Sequence, residues 1–105
     1  MGSALLNAQL RLLIDAGGSD LHLKAGVPPR LRIDGALVTP TGAPVLRPEE
    51  TAAMAEAVMP AHVAEHFAVA HQADFAYVLE DHERFRVNVY RQRHSVALVF
   101  RRVGT

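Results

Sequence analysis

The sequence predicts an α+β domain in which helices cover one face of a mainly antiparallel sheet of five to six strands. Several short stretches alternate apolar and polar residues, as half-buried strands do. Asp34-Gly35 is a strong signal for a two-residue turn between two such strands. Other stretches repeat apolar residues at helical spacing. In chain order, we expect one helix, three strands, two helices and three more strands.

The first half of the chain predicts one helix followed by three strands. Leucines recur at helical spacing, Ser3 can cap the helix, and Gly17-Gly18 ends it. The alternating stretches that follow are separated by turn residues, and residues 40–48 form a loop. The predicted elements are a helix over residues 4–15 and strands over residues 20–24, 30–34 and 36–39.

The second half predicts two helices and three strands. Pro48 suits the first position of a helix, and Glu49 and Glu50 then lie favourably at its N-terminal dipole. Pro60 ends that helix and can start another. The predicted strands cover residues 73–79, 84–91 and 96–103, the last two joined by a turn near residues 93–95.

Three of the strands place polar side chains on one alternating register. These side chains are Asp20, His22 and Lys24, then Arg30, Arg32 and Asp34, and finally Arg84, Arg86 and Asn88. With helices on the apolar face, the opposite face of the sheet is polar. Such a face is commonly only solvated, but this many arginines favour docking against another domain.

Composition excludes several classes of function. The chain has no cysteine, so a disulfide, a thiolate metal site and a cysteine nucleophile are excluded. Its one lysine, Lys24, precedes Ala25, so the phosphate-binding pattern G-x-x-x-x-G-K-[ST] is absent. We therefore expect that residues 1–105, a single domain, do not hydrolyse nucleotide by themselves. With no apolar run of membrane-spanning length and no signal peptide pattern, we expect a cytoplasmic domain.

Charge is unevenly distributed along a chain whose formal net charge is zero. Residues 1–48 carry five basic and three acidic groups, residues 49–83 carry eight acidic and no basic groups, and residues 84–105 carry six arginines and no acid. This pattern indicates a local anion site or a charged partner rather than nucleic acid. Mutual neutralisation of acidic helices and basic strands is an equally plausible explanation.

Histidines supply two further candidates. H-V-A-E-H at 62–66 matches the H-x-x-E-H zinc motif, and His62 and His66 would share a helix face. His71 lies nearby, but a zinc peptidase needs a third ligand and a substrate cleft, usually in a much larger chain, so we expect an ordinary solvated helix face and no catalytic zinc site. His22 and Asp20 share a strand face, but no nucleophile is placed to use them as a dyad. We expect a structural hydrogen bond or an interdomain contact there.

Six segments in order resemble a known family. They are S-D-L-H-L (19–23), G-V-P-P-R-L-R-I-D-G (26–35), R-P-E-E (47–50), D-F-A-Y (74–77), R-F-R-V-N-V-Y-R-Q-R (84–93) and A-L-V-F-R-R-V (97–103). Together they resemble the N-terminal domain of the type IV pilus retraction ATPases, the PilT-like branch of the type II/IV secretion ATPase superfamily. The resemblance implies a PAS-like fold, with which the predicted element order agrees.

The resemblance also implies that this domain belongs to a longer motor. Members of the family follow it with a RecA-like ATPase domain, which this chain is expected to lack. They form homohexamers in which the domain packs on ATPase domains of its own and the neighbouring subunit, and they act with pilus machinery at the inner membrane in twitching motility. ATP and Mg²⁺ are then cofactors of the full-length parent and are not required by this domain alone.

Four arginines are the candidate site residues, and the resemblance supplies their role. In the family, arginines of this stretch approach the phosphates of a nucleotide held between the two domains. The matching positions are Arg84, Arg86, Arg91 and Arg93, which the sequence does not rank. Guanidinium groups suit this role because their planar forks of donors match phosphate oxygens. The alternative is that about half of them pair with Glu80, Asp81, Glu83 or the acidic helices.

Two functions remain open at this point. The first is an N-terminal domain of a hexameric pilus-retraction ATPase that helps to bind nucleotide and transmits motion between subunits. The second is a free-standing PAS-like binding or scaffold module. R-F-R-V-N and R-Q-R look closer to retraction than to extension ATPases, and we expect the isolated domain to be mainly monomeric.

Overall fold

A computed structural model describes residues 2–80 and 82–104 and has the predicted order of elements. The fold is α+β, with one six-stranded sheet and three helices. The elements are α1 (Gly2–Asp15), β1 (Asp20–Leu23), β2 (Arg30–Ile33), β3 (Ala36–Val38), α2 (Pro48–Val58), α3 (Ala61–Ala70), β4 (Gln72–Leu79), β5 (Glu83–Gln92) and β6 (Ser95–Arg102). The prediction of a PAS-like domain is confirmed.

The sheet has the strand order β3-β2-β1-β6-β5-β4, and all neighbouring strands are antiparallel. β1 and β6, the first and last strands, therefore pair at its centre. Leu21 lies opposite Phe100 in this pair, and both side chains are fully buried. This pairing brings a polar residue from the start of the chain, Asp20, beside Arg101 near its end.

Two tight turns fix the register of the hairpins. Asp34 and Gly35 both have positive φ, 50° and 83°, as the two central residues of a type I′ turn require. The turn between β5 and β6 has Arg93 at φ 59°, a left-handed conformation that glycine would adopt more readily. Its closing pair is Gln92 and Ser95, which sets β5 and β6 in register along eight residue pairs.

The helices begin close to the predicted positions, with one exception. α1 starts at Gly2, so Ser3 lies inside its first turn and the prediction that Ser3 caps the helix is wrong. Pro48 opens α2, and the Arg47 backbone N–H donates to Glu50 Oε1 over 2.8 Å, which satisfies a donor outside the helix. None of the described helices is long and apolar enough to cross a bilayer.

The core lies between the helices and one face of the sheet. It contains Met54 of α2, Phe67 of α3, three leucines of α1 and the inward residues of β5; the last two groups are Leu6, Leu10 and Leu13, and Phe85, Val87 and Val89. Gly18 allows α1 to approach the sheet closely, because a Cβ atom there would lie 2.8 Å from the carbonyl oxygen of Arg32. The other sheet face is left without a helix.

Candidate functional site

Charged side chains lie in a continuous row across the uncovered face of the sheet. We call this surface the polar face. The strand pairing sets four residues side by side on β2, β1, β6 and β5, in the order Arg32, Asp20, Arg101 and Arg86. A parallel row one pleat away contains Arg30, His22, Val99, Asn88 and Asp74. The polar register predicted for these strands is therefore present.

Arg86 and Arg101 lie directly opposite each other in this row. Arg101 Nε is 3.3 Å from Asp20 Oδ2, and Asp20 is only 7% exposed. Arg86 is exposed and forms no ion pair with a carboxylate in the described part of the chain. Like charges opposite each other on neighbouring strands destabilise a sheet, and among the described contacts Asp20 binds the guanidinium group of Arg101 but not that of Arg86. The arrangement can accept an anion.

A shallow cavity of about 290 Å³ lies over this pair. Its polar lining comes from His22, Asp74, Arg86, Asn88 and Arg101. The Asp74 carboxylate is already engaged, since Asn88 Nδ2 donates to Asp74 Oδ1 over 3.1 Å. The free donors of the cavity therefore belong mainly to the two arginines, and their chemistry suits a phosphate or carboxylate group.

His22 lies at the centre of the polar face. Its Nε2 atom is buried and has no hydrogen-bond partner among the described residues. Burial lowers the pKa of the imidazole; Asp20 opposes this shift, while Arg32, Arg101 and Arg30 reinforce it. The neutral ring is therefore favoured. Of the two expectations for His22, a structural hydrogen bond with Asp20 does not occur in the described contacts, in which Asp20 binds Arg101, and an interdomain contact stays a prediction.

The four predicted arginines lie in three different places. Arg84 and Arg86 project from the polar face, since they alternate with the buried Phe85. Arg91 lies an odd number of residues along β5 from Arg86, so its side chain is on the helix side of the sheet. Its guanidinium carbon is 5.3 Å from the centroid of the Phe67 ring. Arg93 lies at the tip of the β5–β6 turn. The role of these four arginines at a nucleotide stays a prediction. Of the four, only Arg84 and Arg86 lie together, at the same end of the polar face.

The carboxylates proposed as alternative partners are bound by other arginines. Glu80 contacts Arg11 of α1, and Glu83 lies 3.3 Å from Arg102. Asp81 falls outside the described residues. Within residues 2–80 and 82–104, none of the four candidate arginines forms an ion pair. The positive charges of these four arginines are therefore not neutralised by ion pairs among the described residues.

The sequence reasoning missed Arg101 as a site residue. The signal that could have found it is the turn near residues 93–95, because a turn fixes which residues of a hairpin lie opposite each other. Counting outward from Gln92 and Ser95 brings Arg86 opposite Arg101. The burial of His22 Nε2 has no comparable signal, since it depends on the packing of neighbouring strands.

The histidine motif lies on the exposed side of α3. His62 and His66 are both exposed, and His71 caps the helix in a left-handed conformation with φ 63°. Among the described residues, no cluster of three or more potential metal ligands occurs. The helix instead buries Val63 and Phe67 against the core.

Comparison with known proteins identifies relatives that span nearly the whole chain. No protein-family model matches it. The chain is 40% identical over 96 residues to the type IV pilus ATPase PilU of Pseudomonas aeruginosa. It is 34% identical over 87 residues to the type IV pilus retraction ATPase PilT of the same organism. These matches cover 91% and 83% of this chain but 25% of each relative, so the chain spans about a quarter of their length.

Solved structures agree with these relatives. A crystal structure of the pilus retraction motor PilT with bound ADP superposes with a TM-score of 0.86 at 36% identity, covering 94% of this chain and 29% of that one. The ATPase DotB of Legionella pneumophila superposes with a TM-score of 0.81 over 97% of this chain and 29% of its own. At 18% identity, that second match shows a shared fold only.

Proposed function

Since this chain is an N-terminal domain of the PilT-like secretion ATPases, we propose that it helps to bind nucleotide and transmits motion between subunits of a hexameric motor. The motor acts in pilus retraction and twitching motility at the cytoplasmic side of the inner membrane. There the domain packs on ATPase domains of its own and neighbouring subunits. ATP is hydrolysed with Mg²⁺ by those domains rather than by this one.

The pair formed by Arg86 and Arg101 is the observation that carries this proposal. Two arginines lie opposite each other on an uncovered sheet face; Asp20 binds Arg101, and Asp74, which lines the same cavity, already accepts from Asn88. A phosphate group offers several oxygen acceptors and negative charge, and it would relieve the repulsion between these arginines. The cavity above them is open and leaves space for such a group.

The proposal gives different tasks to the arginines. Arg86 and Arg101 bind phosphate oxygens, and Arg84 adds positive charge at the same end of the polar face. Asp20 holds Arg101 in position through the 3.3 Å contact with its Nε. Arg91 stabilises the docking of α3 on β5 through Phe67 and does not face the nucleotide.

One relative, PilT, supports this choice of ligand and direction of movement. PilT is described as a pilus retraction motor, and its structure contains ADP. The match to that structure at 36% identity covers nearly all of the present chain. We therefore propose retraction rather than extension as the direction of movement.

A chimaeric motor tests the proposal. The matching quarter of Pseudomonas aeruginosa PilU is replaced by this chain, and ATP hydrolysis by the purified chimaera is measured. Arg86→Ala should lower kcat, by up to about 10³-fold where the arginine stabilises charge on the transferred phosphoryl group. Arg11→Ala, which removes an arginine from the helix side, is the matched control. Equal turnover in the Arg86→Ala variant and the unsubstituted chimaera would contradict the proposal.

A further inference from the structure

The polar face has a second basic region at the end away from Arg86 and Arg101. We call it the basic end and define it as Lys24, Arg30 and Arg93. Lys24 lies four residues along the β1 direction from Asp20, which corresponds to about 13 Å at 3.3 Å per residue. A single phosphate group cannot contact both regions.

The charges of the basic end are not compensated by ion pairs among the residues that the structure describes. All three side chains are exposed, and none forms an ion pair with a described carboxylate. A cavity of about 310 Å³ between the β1–β2 loop and the β5–β6 turn is lined by Lys24, Ala25, Gln92, Arg93 and Ser95. Its lining contains two cations and polar groups but no acid. The Arg86–Arg101 region differs, because Asp20 and Asp74 lie beside it.

An apolar cavity adjoins these charges. It has a volume of about 110 Å³, and its walls are mainly apolar, with Val27, Leu37, Tyr90 and Val99 among them, while His22 contributes one polar side chain. Leu37 is 44% exposed on the outermost strand of the sheet. Lys24 lines both this cavity and the polar one beside it, and Arg30 lines the apolar cavity as well. A small, mainly apolar pocket with cations in its lining thus adjoins a basic cavity, and Lys24 lines both.

We propose that the basic end docks an acidic peptide segment that inserts one apolar side chain into the cavity beside Leu37 and Tyr90. Charge complementarity supports an acidic occupant, because the three cations lack carboxylate partners in the described chain. A free phosphate would use the cations but leave the apolar cavity empty. A peptide strand satisfies both cavities, since neighbouring side chains can present a carboxylate and an apolar group together. This role reassigns Arg93 away from the nucleotide and does not depend on the nucleotide proposal.

A titration with a defined peptide tests this inference. The ¹⁵N-labelled 105-residue chain is titrated with unlabelled Glu-Glu-Phe-Glu-Glu, and amide shifts are followed by NMR. We expect saturable shifts at Lys24, Leu37 and Arg93. Replacing Phe by Ser in the peptide should weaken binding about tenfold, since the apolar contact is lost. Inorganic phosphate at equal ionic strength should produce no saturable shift at Leu37.

Variants of the chain separate this site from general charge attraction. Lys24→Ala and Arg93→Ala should each weaken peptide binding about two- to fivefold, because each removes one exposed ion pair. Arg11→Ala removes the same charge from α1, on the helix side, and should leave the affinity unchanged. Melting curves should show that all three variants are folded, because all three positions are exposed.

Three results would overturn the inference. The Ser peptide could bind as tightly as the Phe peptide, which would leave the apolar cavity without a role. Arg11→Ala could weaken binding as much as Lys24→Ala, which would mean that only net charge matters. Finally, the shifts at Leu37 could depend on protein concentration and not on peptide, which would make a second copy of the chain the occupant.

Discussion

Arg86 of β5 lies directly opposite Arg101 of β6 on the uncovered face of the sheet, and in the described part of the chain Asp20 of β1 binds Arg101 but not Arg86. Two like charges on adjacent strands oppose folding, yet the sheet holds both of them here. The presence of both arginines is explained if they bind a ligand rather than stabilise the fold. This relationship links the fold to the proposed nucleotide role and leads to the first prediction.

Replacing Arg86 by Gln should stabilise the isolated chain. The change removes the repulsion with Arg101, and cross-strand charge pairs contribute roughly 0.2–1 kcal/mol, so we expect the free energy of unfolding to rise by about 0.5 kcal/mol. Urea denaturation measures this difference. Arg84→Gln is the control, because Arg84 lies opposite Val78 and should show no gain. A less stable Arg86→Gln variant would mean that Arg86 has a structural partner.

Replacing Arg91 should destabilise the isolated chain, whereas replacing Arg86 should stabilise it. Arg91→Ala removes the contact with the Phe67 ring, and a cation–π contact at an exposed site contributes about 0.5–1 kcal/mol. We expect the melting temperature of the isolated chain to fall by roughly 2–8 °C. In the PilU chimaera, kcat should stay within about twofold of the unsubstituted value. A large loss of turnover with an unchanged melting curve would assign Arg91 to the nucleotide site instead.

The sequence was sufficient to predict the order and type of the elements. Local signals determine these features: Pro48 opens α2, Asp34-Gly35 forms the turn between β2 and β3, and alternation buries Phe85, Val87 and Val89. The start of α1 was predicted incorrectly because Ser3 suits a cap as well as a first helical turn, and local composition does not decide between them.

The site was less predictable because it depends on contacts between distant parts of the chain. R-F-R-V-N indicates an arginine-rich strand, but only the strand register brings Arg101 beside Arg86 and Asp20 beside Arg101. The four candidate arginines are close in sequence, yet a strand directs alternate side chains to opposite faces. Arg91 therefore lies against Phe67, on the other side of the sheet from Arg86.

Gly18 should tolerate no side chain. A Cβ atom in Gly18→Ala would lie 2.6 Å from Leu13 Cδ1 and 2.8 Å from the Arg32 carbonyl oxygen, so α1 must move away from the sheet. We expect a loss of about 2–3 kcal/mol in the free energy of unfolding. Gly42→Ala provides the comparison: its Cβ would meet nothing within 4 Å, and only the strain of φ 77° remains, about 1 kcal/mol. Equal losses at both positions would contradict the close packing of α1.

His22 should make the stability of the domain fall at acidic pH. Burial lowers its pKa from 6.5 in the folded chain, so the unfolded chain binds a proton more readily. Its contribution to stability is complete above about pH 6.5 and is lost as the pH falls below that value. Thermal melting at pH 7.5 and 5.0 should therefore show a larger decrease for the native chain than for His22→Gln. Equal decreases would place the origin of the pH dependence in other groups.

The structure of the PilU chimaera with ADP and Mg²⁺ would test the central claim most directly. Our account predicts that the guanidinium nitrogens of Arg86, Arg101 or both lie about 2.7–3.0 Å from phosphate oxygens, with Asp20 still bound to Arg101. The account would be contradicted if nucleotide were bound in the chimaera and its phosphates contacted no arginine of the polar face.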